Sequence, residues 1–289
     1  MQGLYAWDVT AKLKRKAASH PRLGAHVGGG VPAAADRAAA LGCDCLQIFT
    51  SSPRQWRAPA IAPERAATMR QLCHQHHLAP LVVHANYLIN LAGANPDFHA
   101  RSLEAFRGEL ERAAAIGADY LVLHPGSGDR ARCTASIRAA SAGFDWGTLT
   151  LLIENTAGGG QHLGGNFAQL GDMLAELPGL PVACCIDTCH AWVAGYDLVS
   201  GEGYAAAMEE LDATVGLDHV PVWHANDAKA ERGSHLDRHE HIGAGRLGAA
   251  AFQRLLRDPR CAGRAFILET PVDDPADQSR DLAALRGLC

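Results

Sequence analysis

The sequence predicts an α/β fold, a single-domain (β/α)8 barrel of the TIM type, on three observations. Eight short apolar segments suited to buried parallel strands recur at intervals of about 35 residues. Stretches of helical composition separate them, and the length of 289 residues is usual for such a barrel. The main alternative, an open doubly wound sheet, has no glycine-rich nucleotide-binding loop to support it. We expect the barrel over residues 21–289, after a solvated or frayed N-terminal extension over residues 1–20.

Each predicted strand is a short apolar segment, which its length distinguishes from the longer helical stretches. In chain order the predicted strands are Leu23–Val27, Cys45–Thr50, Pro80–Ala85, Tyr120–Pro125, Leu149–Asn155, Val182–Asp187, Val222–Asn226 and Ala265–Thr270.

Helix ends are predicted from capping residues. Gly42 and Gly117 stop the first and third helices, since glycine readily follows a helix C-terminus, and Asn166 can cap the fifth. The segment Thr134–Ala142 is short and weakly patterned, so we expect a truncated fourth helix. The other predicted helices are Ala33–Leu41, Glu64–His77, Phe98–Ile116, Asn166–Leu177, Tyr204–Val215, Ala249–Arg257 and Asp277–Leu288.

Composition and charge exclude several classes of protein. A hydrophobic fraction of 48% and a charged fraction of 20% exclude disordered, collagen-like and coiled-coil chains. The net charge of −5 excludes a wholly basic surface but not a local basic patch. The sequence shows neither a bilayer-spanning apolar run nor a secretory signal, and its nine scattered cysteines lack the spacing of a zinc ribbon. We expect a cytoplasmic protein with reduced, buried thiols and no membrane contact.

Metal-type ligands stand at the carboxyl ends of six consecutive predicted strands. One such residue alone is more often a hydrogen-bonded core residue or a helix cap, but this explanation fits nine of them poorly. Catalytic residues of barrels come from these strand ends, so closure of the barrel brings the nine to one mouth. They are His84, His124, Glu154, Asp187, His190, His224, Asp237, His239 and Glu269.

The ligand set itself indicates the kind of metal and substrate. Five histidines and four carboxylates without cysteine suit zinc, manganese or iron. Three divalent ions would leave two positive charges in excess over the four carboxylates. A hydroxide and a phosphodiester, each with one negative charge, would neutralise that excess. The charge count favours a phosphate ester over a neutral sugar.

Basic and aromatic residues near the same strand ends indicate a DNA substrate, although each alone could belong to a solvated rim or the core. Cations can bind phosphates, and aromatic rings can insert between bases. The basic run at residues 12–16 is a solvated face or, less favoured, a phosphate-contacting arm. The candidate DNA-binding residues are Arg54, Trp56, Arg57, Tyr87, Lys229, Arg232 and Arg238.

Nine segments between Gly24 and Pro271 resemble, in the same order, the endonuclease IV family of apurinic/apyrimidinic (AP) endonucleases. The segments around Glu154, Asp187 and Asp237 are the most specific. The matching segments are Gly24–Val27, Phe49–Arg57, His84–Leu91, His124–Ser127, Ile153–Gly158, Asp187–Trp192, His224–Asp227, Asp237–His239 and Leu268–Pro271.

The resemblance implies a zinc-dependent monomer that cuts double-stranded DNA 5′ to abasic sites and trims blocked 3′ ends. It implies three zinc ions, with manganese or iron acceptable at one position, and catalytic roles for Glu154 and Glu269. His84, His124 and Glu154 would hold the first ion. Glu154 would bridge to the second, with Asp187, His224 and Glu269. The third would take His190, Asp237 and His239. Arg54 and Tyr87 would enter the DNA at the lesion.

Three departures from the family pattern concern the rim of the barrel rather than the ligands. Gly128 stands where many members have a histidine, the turn at Gly28–Gly30 is short, and so is the segment between His124 and Glu154. Two alternatives to the nuclease stay open. One is a sugar isomerase or epimerase on a similar barrel, and the other is a protein that binds lesions or stores metal without turnover.

Overall fold

The computed structural model of the chain describes residues 20–289, and eight parallel strands close into a barrel at its centre. The first strand of the barrel completes the closure by pairing with both the second strand and the last one. The barrel strands are β1 Arg22–His26, β2 Cys45–Ile48, β3 Leu81–His84, β4 Tyr120–Leu123, β5 Thr150–Glu154, β6 Val182–Asp187, β7 Val222–His224 and β10 Ala265–Leu268. The predicted barrel is confirmed, and several predicted strands run one or two residues too far.

An antiparallel ribbon outside the barrel was not predicted. It pairs β8, Asp227–Ala228, with β9, His239–Glu240. The predicted extension over residues 1–20, with its basic run, lies outside the described residues apart from His20.

Nine α-helices occur within residues 20–289, and eight of them connect successive barrel strands or follow the last one. The ninth, α6, is a short helix that directly follows β6 and was not predicted. The helices are α1 Ala33–Ala40, α2 Pro63–Gln75, α3 Pro96–Ala115, α4 Arg130–Ala140, α5 Phe167–Ala175, α6 Thr188–Ala194, α7 Gly201–Thr214, α8 Gly248–Arg257 and α9 Asp277–Leu288.

Side-chain caps explain where several helices begin. The Asn166 cap of α5 is confirmed, since its Oδ1 accepts a hydrogen bond from the backbone N–H of Gln169. The expected truncation of the fourth helix is wrong. The Asp129 carboxylate accepts from the N–H of Arg132 at 2.7 Å, and α4 begins there and runs for 11 residues. Sequence periodicity missed the start of α4 because Cys133 is the only buried residue of its first turn, which also contains the polar Arg130 and Arg132.

Two apolar layers support the barrel. One fills its interior, and the other lies between the strands and the helices, where Phe106 of α3, Phe252 of α8 and Phe266 of β10 are fully buried. Replacing such a phenylalanine with alanine typically costs about 3–5 kcal/mol, so the mouth residues stand on a rigid support. No helix among residues 20–289 combines the length and apolar character needed to cross a bilayer.

Candidate metal centre

The inward-facing side chains of the barrel change from apolar to polar at its mouth. Every second residue of a strand points into a barrel, and the deeper inward positions include Val82, Leu152 and Ala183. One polar residue per strand ends each of these inward series, at or just after the strand end. In chain order they are His26, Gln47, His84, His124, Glu154, Asp187, His224 and Glu269.

The three remaining predicted ligands come from elements next to the mouth. His190 lies on α6, and its N–H bonds to Asp187 Oδ1 at 2.8 Å, so the strand-end carboxylate caps the helix that carries the next ligand. Asp237 lies in the loop before β9, and His239 begins β9. Pairing of Ala228 with His239 holds that strand against the segment following β7.

The first predicted ligand set is assembled around one oxygen of Glu154. Its Oε2 lies 3.3 Å from His84 Nε2 and 3.0 Å from His124 Nε2. Glu154 and His84 are buried, whereas the side chain of His124 is 34% exposed and faces the opening. One face of this set is therefore accessible from outside.

The second predicted set lies around the other oxygen of the same carboxylate. His224 Nδ1 is 2.9 Å from Glu154 Oε1 and 3.2 Å from Glu269 Oε2. Potential ligand atoms of Glu154, Asp187, His224 and Glu269 all lie within 4.8 Å of one another. Glu154 thus joins the first two sets, as a bridging carboxylate would.

The third predicted set centres on Asp237. Its two oxygens lie 3.2 Å from His190 Nε2 and 3.2 Å from His239 Nε2. Asp187 Oδ2 is 3.7 Å from His239 Nε2, which connects this set to the second. The Cys189 thiol also lies nearby, and burial raises its pKa far above neutrality in the absence of metal.

The imidazoles are oriented so that they present lone pairs to the carboxylates. Four of the five bond through one nitrogen to an amide oxygen, which can only accept, so that nitrogen carries the hydrogen. These bonds are His84 Nδ1 to Ala85 O at 2.7 Å, His190 Nδ1 to Asn155 O at 2.9 Å, His239 Nδ1 to Glu269 O at 3.0 Å and His224 Nε2 to Gln47 Oε1 at 2.9 Å.

These lone pairs show that the residues fit divalent metal ions. His239 Nε2 is buried and has no hydrogen-bond partner among the described residues, although two carboxylates face it. A lone pair facing a carboxylate is repelled unless a proton or a metal cation lies between them. Two ligands of one tetrahedral zinc ion stand about 3.3 Å apart, close to the separations found here.

The electrostatics of the mouth require a compensating positive charge. Burial alone would raise the pKa of Glu154, but the imidazoles of His224 and His124 hold it well below its ordinary range. Burial alone would lower the pKa of His239, but the negative charges of Asp187 and of Asp237, whose Oδ1 lies 3.2 Å from Nε2, raise it to about 9. Without metal the imidazoles would carry that charge, and divalent cations can replace their protons.

Two buried asparagines that were not predicted hold the ligands in place. Asn226 Nδ2 donates to Asp187 Oδ2 at 2.6 Å, and its Oδ1 accepts from the N–H of Glu269 at 2.8 Å. Asn155 Oδ1 accepts from the N–H of Asp187 at 2.6 Å. Their positions in the sequence could have identified them, because Asn155 directly follows Glu154 and Asn226 stands two residues after His224.

A cleft of about 440 Å³ opens beside the three sets. His124, His190 and Asp237 line it, and Tyr87 and Leu236 stand at its edges with 59% and 58% of their surface exposed. The Tyr87 ring lies 5.5 Å from that of His84. An exposed aromatic ring therefore stands directly beside the first set.

The predicted DNA-binding residues differ in how far they are available to a ligand. Arg54 and Arg238 are exposed, and Arg238 lines the cleft. Trp56 is half-buried against the core. The others already have carboxylate neighbours: Arg57 contacts Glu104 at 3.0 Å, Arg232 contacts Asp197 at 3.2 Å and Lys229 lies 3.9 Å from Glu240.

Comparison of the chain with known proteins identifies a matching family model and curated relatives. A family model described as a xylose isomerase-like TIM barrel matches residues 35–288. A curated protein of Solibacter usitatus named "Probable endonuclease 4" is 47% identical over 279 residues, covering 92% of this chain and 96% of that protein.

Solved structures agree with the sequence relatives. The crystal structure of endonuclease IV from Thermus thermophilus superposes with a TM-score of 0.85 at 39% identity, covering 93% of this chain and 98% of that one. A D-tagatose 3-epimerase-like protein superposes with a TM-score of 0.65 at 17% identity, covering 92% and 96%. The second likeness shows only the shared fold.

Proposed function

This chain belongs to the endonuclease IV family, and on that premise we propose that it is a DNA-repair hydrolase acting at abasic sites. It cleaves the phosphodiester on the 5′ side of the lesion in double-stranded DNA and also removes blocking groups such as phosphate or phosphoglycolate from 3′ ends. The proposed cofactor is three zinc ions per chain, with manganese or iron acceptable at one position.

The observation that carries the proposal is the convergence of nine metal-type side chains at one barrel mouth, with Glu154 common to two sets. A sugar isomerase on the same fold needs only one or two ions and no basic, aromatic rim. The lone pairs of His84, His190 and His239 support binding of several ions rather than one.

Ions held there would supply hydroxide near neutral pH and offset the charge of the phosphodiester. Glu269 has one oxygen 3.2 Å from His224 Nδ1, and we assign it the role of orienting the attacking water in addition to holding metal. Attack on phosphorus forms a new P–O bond and breaks the bond to the 3′ oxygen. The proton that the attacking water releases balances the one that the leaving oxygen takes up as it becomes a hydroxyl group.

Recognition of the lesion would rest on Tyr87 and Arg54. An abasic nucleotide is unstacked at low cost because it has no base, so extrusion selects for damage. Tyr87 is exposed beside the first metal set, and its ring can fill the vacated stack. Arg54 is exposed, and no ion pair within the described residues engages its guanidinium.

A labelled duplex with one tetrahydrofuran abasic analogue tests the proposal. The analogue cannot undergo β-elimination, so a cut 5′ to it must be hydrolytic. We expect cleavage by zinc-loaded protein, loss after metal stripping and recovery with zinc.

The same duplex without the lesion is the control and should stay intact. Absence of cleavage by protein with its full metal content would overturn the nuclease proposal. In that case ketoses and aldoses would be the next substrates to test.

A further inference from the structure

Gln47 is a fully buried amide that touches two of the proposed metal ligands. It lies at the end of β2 and points into the barrel mouth. Its Oε1 lies 2.9 Å from His224 Nε2, and its Nε2 lies 2.6 Å from Glu269 Oε1. The same nitrogen lies 3.0 Å from His26 Nδ1.

Simple hydrogen-bond chemistry fixes the direction of these bonds. The Glu269 carboxylate can only accept, so the end of Gln47 that faces it must be the NH2 group. The carbonyl end then faces His224 and can only accept. His224 Nε2 must therefore carry the ring hydrogen.

This arrangement determines which atoms face the centre. With hydrogen on Nε2, the His224 Nδ1 atom is a lone pair directed at Glu154 Oε1, 2.9 Å away. With Oε1 of Glu269 engaged by Gln47, its Oε2 is the oxygen that faces His224. A single amide thus selects the ligating atom of two side chains.

We propose that Gln47 is a positioning residue that aligns His224 and Glu269 on one divalent ion, an inference that rests on the proposed metal centre. The corresponding anchors of His84, His190 and His239 are backbone carbonyl oxygens, which substitution cannot remove. Gln47 performs the same task with a side chain, so its contribution can be isolated by mutation.

The proposal predicts a loss confined to one ion. His84 and His124 in the first set, and His190, Asp237 and His239 in the third, make no hydrogen bond to Gln47. Partners that orient metal ligands typically contribute about 10- to 100-fold to metal affinity. Loss of Gln47 should lower the affinity for the ion on His224 and Glu269 by that factor, and the affinities for the other ions should stay unchanged.

The test compares zinc retention by the wild type, Gln47→Met and Gln47→Ala during dialysis against a series of zinc buffers. The methionine keeps the length of the side chain without its hydrogen bonds, and the alanine leaves room for water should the methionine prevent folding. Thr150→Val is the matched control, because Thr150 is also fully buried in the barrel and its hydroxyl lacks a partner within the described residues.

We expect each Gln47 variant to lose one ion at a free-zinc concentration where the wild type and Thr150→Val retain all of theirs. Equal affinities in the variants and the wild type would overturn the role of Gln47. Equal weakening of every ion would overturn it too, since that result indicates general destabilisation. If the wild type retained no zinc, the metal centre itself would fail, which the other outcomes do not produce.

Discussion

Glu154 is the single residue on which the candidate centre depends most. It is completely buried, and its two oxygens serve different ligand sets. In Glu154→Gln one oxygen becomes an NH2 group, which cannot bind a metal ion. We expect at least about a 100-fold loss of cleavage together with loss of bound metal, in a protein that still folds.

Elemental analysis, circular dichroism and the nicking assay on the same preparation check this prediction. Glu111→Gln is a suitable control, because that carboxylate is exposed near the C-terminal end of α3 in a surface pair with Arg107. Unchanged turnover with full metal content in Glu154→Gln would remove this residue from the centre.

Tyr87 is expected to act on DNA rather than on metal. It has 59% of its surface exposed and contacts the rings of Phe49 and His84 from outside. Stacking of a base on an aromatic ring is worth about 1–3 kcal/mol, so Tyr87→Ala should weaken binding to abasic duplex about 10-fold or more. Metal content should not change.

Fluorescence anisotropy with abasic and intact duplexes measures this difference. Tyr87→Phe keeps the ring and should bind nearly as the wild type does. If Tyr87→Ala bound abasic duplex with wild-type strength, the assignment of Tyr87 to the lesion would be wrong.

At the scale of elements, Asp227 organises the turn that follows the β8–β9 ribbon. This buried carboxylate accepts hydrogen bonds from five backbone N–H groups, those of Ala228, Gly243, Gly245, Leu247 and Gly248. Gly243 and Gly248 have positive φ, and a Cβ at Gly245 would lie 2.5 Å from the carboxylate. One acidic residue and three glycines therefore define this turn.

Asp227→Asn should loosen the turn and the ribbon that carries His239. Whichever way the new amide faces, its NH2 group meets two or three N–H donors that have lost their acceptor. We expect unfolding to become easier by about 2–3 kcal/mol. Denaturant unfolding and hydrogen exchange at residues 243–248 measure the effect.

Asp218→Asn provides the comparison, because Asp218 is 69% exposed in a surface pair with Arg264. Such pairs contribute about 0–1 kcal/mol. Equal stability of the two variants would show that Asp227 does not hold the turn.

The elements that sequence reasoning missed share a physical cause. The β8–β9 ribbon has only two residues per strand, too few to show any alternation of polar and apolar positions. Helix α6 begins inside the ligand segment, where Asp187 and His190 are selected for the site rather than for a helical pattern. The eight barrel strands and the helices between them were predictable because each has an apolar face that must be buried.

At the scale of the whole molecule, barrel closure turns a one-dimensional pattern into a site. The strand-end rule predicted six of the eight polar residues in the ring at the mouth but not His26 and Gln47. Gln47 was missed because only charged and metal-type side chains were counted, although the alternation along β2 places it at the same level. Partners of the rim cations, such as Asp197 for Arg232, depend on loop positions that sequence alone does not give.

Metal removal should affect the barrel as a unit. The nine proposed ligands span residues 84–269, so the centre connects strands β3 to β10 as well as α6 and the ribbon. A ligand bound only by the folded state at 1,000 times its dissociation constant adds about 4 kcal/mol to the free energy of unfolding. For a domain of this size that corresponds to about 8–16 °C in melting temperature for even one ion.

We therefore expect a chelated sample to unfold in one transition at least about 8 °C below the zinc-loaded protein, as measured by calorimetry. Zinc should restore the melting temperature, whereas magnesium should not, because it prefers oxygen ligands and five of these nine are imidazoles. Identical melting curves for samples shown by elemental analysis to differ in metal content would contradict a centre that ties the strands together. A lower transition confined to part of the chain would mean that the ions stabilise only the loops around the mouth, rather than the barrel that positions them.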